Sequence, residues 1–193
     1  MTALDERQPP RPPRSGAGAT VWLTGLPSAG KTTLATALAE RLRADGVAGV
    51  ELLDGDEVRE FLSKGLGFDR EDRDTNVLRI GWVAATLAKH GVLVLASVIS
   101  PYAETRAGVA KLHDDRGAGF VEIYVATPVE VCSERDVKGL YARQRSGEMT
   151  GLTGVDAPYE APTSPAAVIK TQDQTLAESV DQLYAVLQAR GLV

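Results

Sequence analysis

The sequence predicts an α/β fold, a parallel sheet with helices on both faces and a lid segment over one end. Three observations predict it. Short apolar runs alternate with segments of helical period along most of the chain, the pattern of repeated strand–helix units. One of these runs, Gly91-Val92-Leu93-Val94-Leu95-Ala96-Ser97-Val98-Ile99, is almost wholly apolar, as a strand buried on both faces must be. The first strand and helix are joined by Gly25-Leu26-Pro27-Ser28-Ala29-Gly30-Lys31-Thr32, which meets the pattern G-x-x-x-x-G-K-[ST] at every fixed position.

That joint carries the chemistry. Ala19-Thr20-Val21-Trp22-Leu23-Thr24 reads as a buried strand before it. Thr33 continues into a helix with Leu34, Leu38 and Leu42 four residues apart after it. A glycine-rich turn between strand and helix makes a phosphate cradle, with free backbone N–H groups aimed at the anion. Lys31 can bridge β- and γ-phosphates, and the Thr32 hydroxyl can reach Mg²⁺. The fold class is therefore of P-loop NTPase type, and the expected co-substrate is a nucleoside triphosphate.

With 193 residues and 44% hydrophobic content the chain is expected to form one domain, 19–193. No apolar run approaches the roughly 20 residues that span a bilayer. No signal-peptide core is evident, so a cytoplasmic protein without a membrane partner is expected. Cys132 is the only cysteine, which suits a reducing compartment. A net charge of -5 argues against a general nucleic-acid binder. Residues 1–18 interleave Pro9, Pro10, Pro12 and Pro13 with Arg7, Arg11 and Arg14 and read as a disordered tail. A proline-rich docking peptide is the alternative.

Val50-Glu51-Leu52-Leu53 is a second strand, running into Asp54-Gly55-Asp56. Carboxylates at the carboxyl end of a strand stand where open α/β sheets bind ligands. The plainer alternative is an Asp-Gly turn. Gly65 to Asn76 is too charged and glycine-rich for a regular element, and leads into a helix with Val77, Ile80, Ala84 and Leu87 on one face. Its arginines can grip an anion or merely pair with interleaved acids. Phe68 is either a local core plug or a stacking platform for a base.

The run 91–99 lacks an acid at its end, which moves the metal-side acid to Asp54 or Asp56. Ser100 before Pro101 is read from its own position as a turn residue, with nucleophile and phosphate contact as alternatives. Phe120-Val121-Glu122-Ile123-Tyr124-Val125 is a fourth strand, and Pro128 opens a helix. Cys132 within it reads as a small buried hydrophobe. The basic stretch from Arg135 and Lys138 to Arg145 suggests a lid. Residues 146–165 form a long glycine- and proline-rich loop. Val168-Ile169-Lys170-Thr171 is a last strand, and Thr175-Leu176-Ala177-Glu178 a capping box opening the final helix. His90 and His113 lie apart from each other and read as surface or structural.

Several stretches together resemble the adenylyl-sulfate kinase (APS kinase) family: Gly25 to Thr32, Leu53-Asp54-Gly55-Asp56 with Arg59, Gly65 to Gly81, Ser100-Pro101-Tyr102 with Arg106, Arg135 to Tyr141, and Thr153-Gly154-Val155-Asp156 to Glu160. They run in family order over about residues 20–170. The resemblance implies phosphorylation of the ribose 3′-hydroxyl of adenylyl sulfate by MgATP. It implies that Gly25, Ser28, Ala29, Gly30, Lys31, Thr32 and Thr33 with Arg135 hold ATP. Thr32 and Asp56 would serve Mg²⁺, with Asp54 beside them. Arg59, Phe68, Arg73, Asn76, Ile80, Ser100, Pro101, Lys138 and Leu152 would hold adenylyl sulfate. Lys31, Asp54, Asp56 and Lys138 would be catalytic, and the lid would span about 139–160. A homodimer working beside a sulfate adenylyltransferase is also implied. Two departures stand out. Ser28 occupies a position where many members have glycine, and Leu152 one where many have a phenylalanine that closes an adenine sandwich.

Overall fold

In a computed structural model, which describes residues 18–193, the sheet has five parallel strands. These are β1 (Ala19–Thr24), β2 (Val50–Asp54), β3 (Leu93–Ser97), β4 (Gly119–Val125) and β5 (Ala167–Ile169), in the order β2-β3-β1-β4-β5. The helices are α1 (Lys31–Ala44), α2 (Gly55–Phe61), α3 (Arg70–Lys89), α4 (Ala103–Asp114), α5 (Val129–Arg135), α6 (Leu140–Arg145) and α7 (Leu176–Ala189). The expected tail lies outside the described residues apart from Gly18. No helix among the described residues is long and apolar enough to cross a membrane.

Strand alternation sorts the core into two layers. Val21 and Leu23 of β1, Leu95 of β3 and Ile123 of β4 face α1 and α7. On α1, Leu34, Leu38 and Leu42 are all buried against that face, each burial contributing about 1.5–3 kcal/mol. Trp22 and Ala96 point to the opposite face, where they meet Val58 of α2, Val77 and Ile80 of α3 and Val109 of α4. Helices α3 and α4 pack closely there. A Cβ on Gly81 would stand 2.7 Å from a Val109 methyl, so only glycine allows that approach. All positions of β1 and β3 are buried, as the unbroken apolar run of β3 requires. The Thr175 capping box of α7 is present in both directions.

The structure corrects the reading in several places. The Asp54-Gly55-Asp56 stretch, for which a turn was the plainer alternative, opens a helix. Asp54 caps α2, its carboxylate accepting from the Asp56 N–H at 2.9 Å. Residues 70–76 are helical. The Asp69 side chain accepts from the Asp72 N–H at 2.9 Å and starts α3 at Arg70, so the charged residues occupy its first two turns. Pro128 is the N-cap of α5 rather than its first residue. The basic stretch after α5 contains a further helix, α6, whose N–H groups at Tyr141 and Ala142 are capped by Asp136 at 3.0 and 2.8 Å.

His113 is structural. It is fully buried, Nδ1–H donating to the Val109 carbonyl at 2.8 Å and Nε2 accepting from Thr20 at 2.7 Å. Burial lowers its pKa to about 4. His90 is exposed at the end of α3. Cys132 is buried, and desolvation pushes its thiol pKa up.

Candidate functional site

The carboxyl ends of β1, β2 and β3 open into one cleft of about 790 Å³. Its floor at one end is the cradle. Ser28, Ala29 and Gly30 line it, followed by Lys31, Thr32 and Thr33 at the start of α1. Gly25 stands behind the cradle, not on the cleft wall. A Cβ there would lie 2.4 Å from the Val125 carbonyl oxygen, so glycine is required for the loop to pass β4. Ser28, where the resemblance leads one to expect glycine, adopts a φ of 60°, a left-handed conformation costing roughly 1–2 kcal/mol for a residue with a Cβ.

Three side chains clamp the cradle from outside. The Ala29 carbonyl accepts from Thr127 at 2.9 Å, Thr171 at 3.1 Å and Arg135 at 3.4 Å. Arg135 also donates to the Thr171 hydroxyl at 2.7 Å. Thr127 and Thr171 were not marked by any local sequence pattern. Their distance in sequence from Ala29 hides them. Lys31 is 8% exposed and folds onto the loop, its Nζ donating to the carbonyls of Leu26 at 2.7 Å and Gly25 at 3.0 Å. Burial lowers its pKa to about 8.

The two acids of the Asp54-Gly55-Asp56 stretch separate in role. The Thr32 hydroxyl donates to Asp54 Oδ2 at 2.6 Å. Asp56 instead pairs with Lys138, which reaches across from the loop before α6. Of the two acids that the sequence left open, the one beside the Thr32 hydroxyl is thus Asp54, whereas the resemblance had pointed to Asp56 with Asp54 next to it. Thr32 and Asp54 offer hard oxygen donors at the lip of the phosphate cradle. No cluster of three or more acidic, histidine or cysteine ligands occurs among the described residues. That donor set fits Mg²⁺, which binds through few carboxylates, phosphate oxygens and retained water.

At the other end, Phe68 is 58% exposed, with the Arg59 guanidinium 4.2 Å above its ring. Both line the cleft together with Asn76, whose Oδ1 is buried without a partner. Such an atom is suited to a donor supplied from outside. Arg73 lines the cleft as well, but its guanidinium already donates to the carbonyls of Phe68 and Gly151 and to the Thr153 hydroxyl. It ties the start of α3 to residues 151–153. Ser100 and Pro101 form the wall between the ends. Ser100 has a φ of 39° and is 1% exposed, and its hydroxyl accepts from Trp22 Nε1 at 3.0 Å and contacts Thr24 at 3.0 Å. Its oxygen is engaged inward.

Two more expected residues, besides Gly25, are absent from the cleft wall. Ile80 is fully buried in the layer under α3 and α4. Leu152 is 3% exposed and belongs to the core cluster on the α1 side of the sheet. Asp156 holds the turn that carries it, accepting from the N–H groups of Gly151 at 2.8 Å and Leu152 at 2.6 Å. Sequence reasoning also passed over Ser97, Val137 and Leu176, which do line the cleft.

A family model described as adenylylsulphate kinase matches residues 17–170. The chain is 52% identical over 176 residues to the adenylyl-sulfate kinase of a Picosynechococcus strain, covering 91% of this chain and 97% of that one. It is 52% identical over 181 residues to the corresponding enzyme of Chloroflexus aurantiacus, covering 94% and 95%. Among solved structures it resembles the APS kinase of Mycobacterium tuberculosis in complex with AMPPNP and APS, with a TM-score of 0.86 and 41% identity over 89% of this chain and 98% of that one.

Proposed function

The chain belongs to the adenylylsulphate kinase family, and from that premise we propose how its cleft divides the work of the reaction. The activity is transfer of the γ-phosphoryl group of ATP to the 3′-hydroxyl of adenylyl sulfate, giving ADP and 3′-phosphoadenylyl sulfate. The transition state asks a protein to position two anions and to spread developing charge.

The observation that carries the proposal is the Asp56–Lys138 pair, which spans the one cleft between the cradle and the Phe68 end. Asp56 then faces the acceptor hydroxyl, orienting it and taking its proton, while Lys138 is the cation placed to follow the transferring phosphoryl. Lys31 leaves the carbonyls of Gly25 and Leu26 for the phosphates, and the backbone N–H groups of Ser28 to Thr33 hold them. Arg135 covers the nucleotide side of the cradle. Phe68, backed by Arg59, stacks on the adenine of adenylyl sulfate, and Asn76 Oδ1 receives a donor from it. Ser100 and Pro101 shape the wall. Arg73 acts by holding Phe68 and the 151–153 turn together. Leu152 and Ile80 support that end from the core. Thr32 and Asp54 would hold Mg²⁺, which would supply charge neutralisation of the phosphates.

The proposal extends to a cytoplasmic homodimer acting beside a sulfate adenylyltransferase. Exposed Phe61, Leu62 and Trp82 on α2, its C-cap and α3 support self-association. The test is mass spectrometry of products after mixing the protein with MgATP and adenylyl sulfate, with AMP, gluconate and shikimate as controls. Only adenylyl sulfate should gain a phosphoryl group. Asp56→Ala should lower kcat by at least about a hundredfold, and near-normal turnover in a folded Asp56→Ala would remove that assignment.

A further inference from the structure

Ser97 ends β3 and has no part in the roles given above. In the parallel register it stands opposite Asp54 of β2 on one side and Leu23 of β1 on the other. Register partners on neighbouring strands project to the same face. Leu23 and Leu95 pack under α1, whereas Ala96 and Val98 pack on the α3 side. The Ser97 side chain therefore points, with Asp54, towards the start of α1, where Lys31 and Thr32 lie.

Ser97 is 6% exposed, lines the cleft, and its hydroxyl has no hydrogen-bond partner. A buried hydroxyl left unpaired is a standing cost to the fold. The rest of β3 is Leu93-Val94-Leu95-Ala96, so alanine would satisfy the packing at position 97 without that cost. The position is also the end of the apolar strand, where the sequence lacks an acid.

We propose that Ser97 is a further positioning residue of the nucleotide end, its hydroxyl ordering, with Thr32 and Asp54, a water in the hydration shell of the magnesium ion that accompanies ATP. This rests on the assignment of Thr32 and Asp54 to the metal side. Magnesium gives up its waters reluctantly and keeps several when bound to protein and phosphate. A neutral hydroxyl can fix such a water by a hydrogen bond. Unlike a second carboxylate beside Asp54, it adds no charge that would compete with the phosphates for the ion.

The test variant is Ser97→Ala, which removes one oxygen and little else. ATP binding is measured by calorimetry with excess Mg²⁺ and with excess EDTA, and the ligand-free protein is melted. The enhancement of ATP affinity by Mg²⁺ should fall about fivefold, with binding in EDTA unchanged. The melting temperature should rise by about 2 °C, because an unpaired buried group is gone. An unchanged Mg²⁺ enhancement overturns the proposal. So does a lower melting temperature with equal loss of binding in Mg²⁺ and in EDTA, the signature of a purely structural hydroxyl. Asp54→Asn, measured alongside, separates two kinds of failure. If it abolishes the enhancement while Ser97→Ala leaves it intact, only the role of Ser97 falls. If neither variant changes the enhancement, the metal-side assignment falls with it.

Discussion

Lys31 should make ATP binding take up protons. In the ligand-free protein its ammonium group is 8% exposed and held by two carbonyl oxygens, and burial brings its pKa down to about 8. Phosphates in the cradle favour the charged form and raise the pKa. The sign follows: affinity is greatest below pH 8 and is lost as pH rises, because the neutral amine must first be protonated. About nine-tenths of Lys31 is charged at pH 7 and about one-tenth at pH 9, so ATP affinity should drop roughly tenfold, about 1.4 kcal/mol, across that interval. At pH 8 binding should consume about half a proton per ATP. Calorimetry at pH 8 in two buffers of different ionisation enthalpy reads that number directly. Phosphate ionisation, near pH 6, is complete in this range and does not contribute. Zero uptake at pH 8 with flat affinity from pH 7 to 9 would refute the reasoning. So would an equal pH-dependent loss in Lys31→Arg, since arginine stays charged throughout.

Two further outcomes concern stability. His113, with its pKa lowered to about 4 by burial, binds a proton more readily when the chain is unfolded. Its contribution is complete above about pH 6.5 and falls as pH drops towards 4, amounting to about 2 kcal/mol between pH 6.5 and 5. Urea midpoints at pH 7 and 5 should show it, and His113→Gln should flatten the difference. An equal pH slope in that variant would sink the idea. Since many relatives carry phenylalanine at position 152 to close an adenine sandwich, the resemblance implies that Leu152→Phe tightens adenylyl sulfate binding. With Leu152 packed in the core, it should instead destabilise the protein by about 1–3 kcal/mol through overpacking, without lowering the KM for adenylyl sulfate. A tighter KM with no change in melting would return Leu152 to the cleft.

The elements legible in the sequence were those with a local signature. The cradle has fixed residues at fixed spacing, β3 an unbroken apolar run, and α7 a capping box, and each stands where it was expected. The helices that were missed begin with acids. Asp54 was read as a ligand-side acid and Asp69 as a loop residue, yet each also accepts from a backbone N–H two or three positions on and opens a helix. Asp69 followed by Asp72 carried a capping signal that its charged neighbours obscured. What no local pattern reveals is pairing across the chain. Asp56 meets Lys138 82 positions away, and Trp22 meets Ser100 78 positions away. The separate duties of Asp54 and Asp56, and the burial of Leu152, follow from such packing and not from spacing, whereas the burial of Ile80 was already legible in the helical spacing that put it beside Val77.

The Trp22–Ser100 hydrogen bond gives the molecule a built-in spectroscopic reporter. The chain has two tryptophans. Trp82 is 53% exposed on α3, and a phenylalanine there keeps an apolar ring while removing its emission. Trp22 is wholly buried and its indole N–H ends on the oxygen of the wall residue. Emission from a Trp82→Phe protein therefore comes from one indole whose polar end is bonded to a residue of the cleft wall. Titrating ATP and adenylyl sulfate separately against that signal would time the arrival of each at that wall, without label or coupled assay.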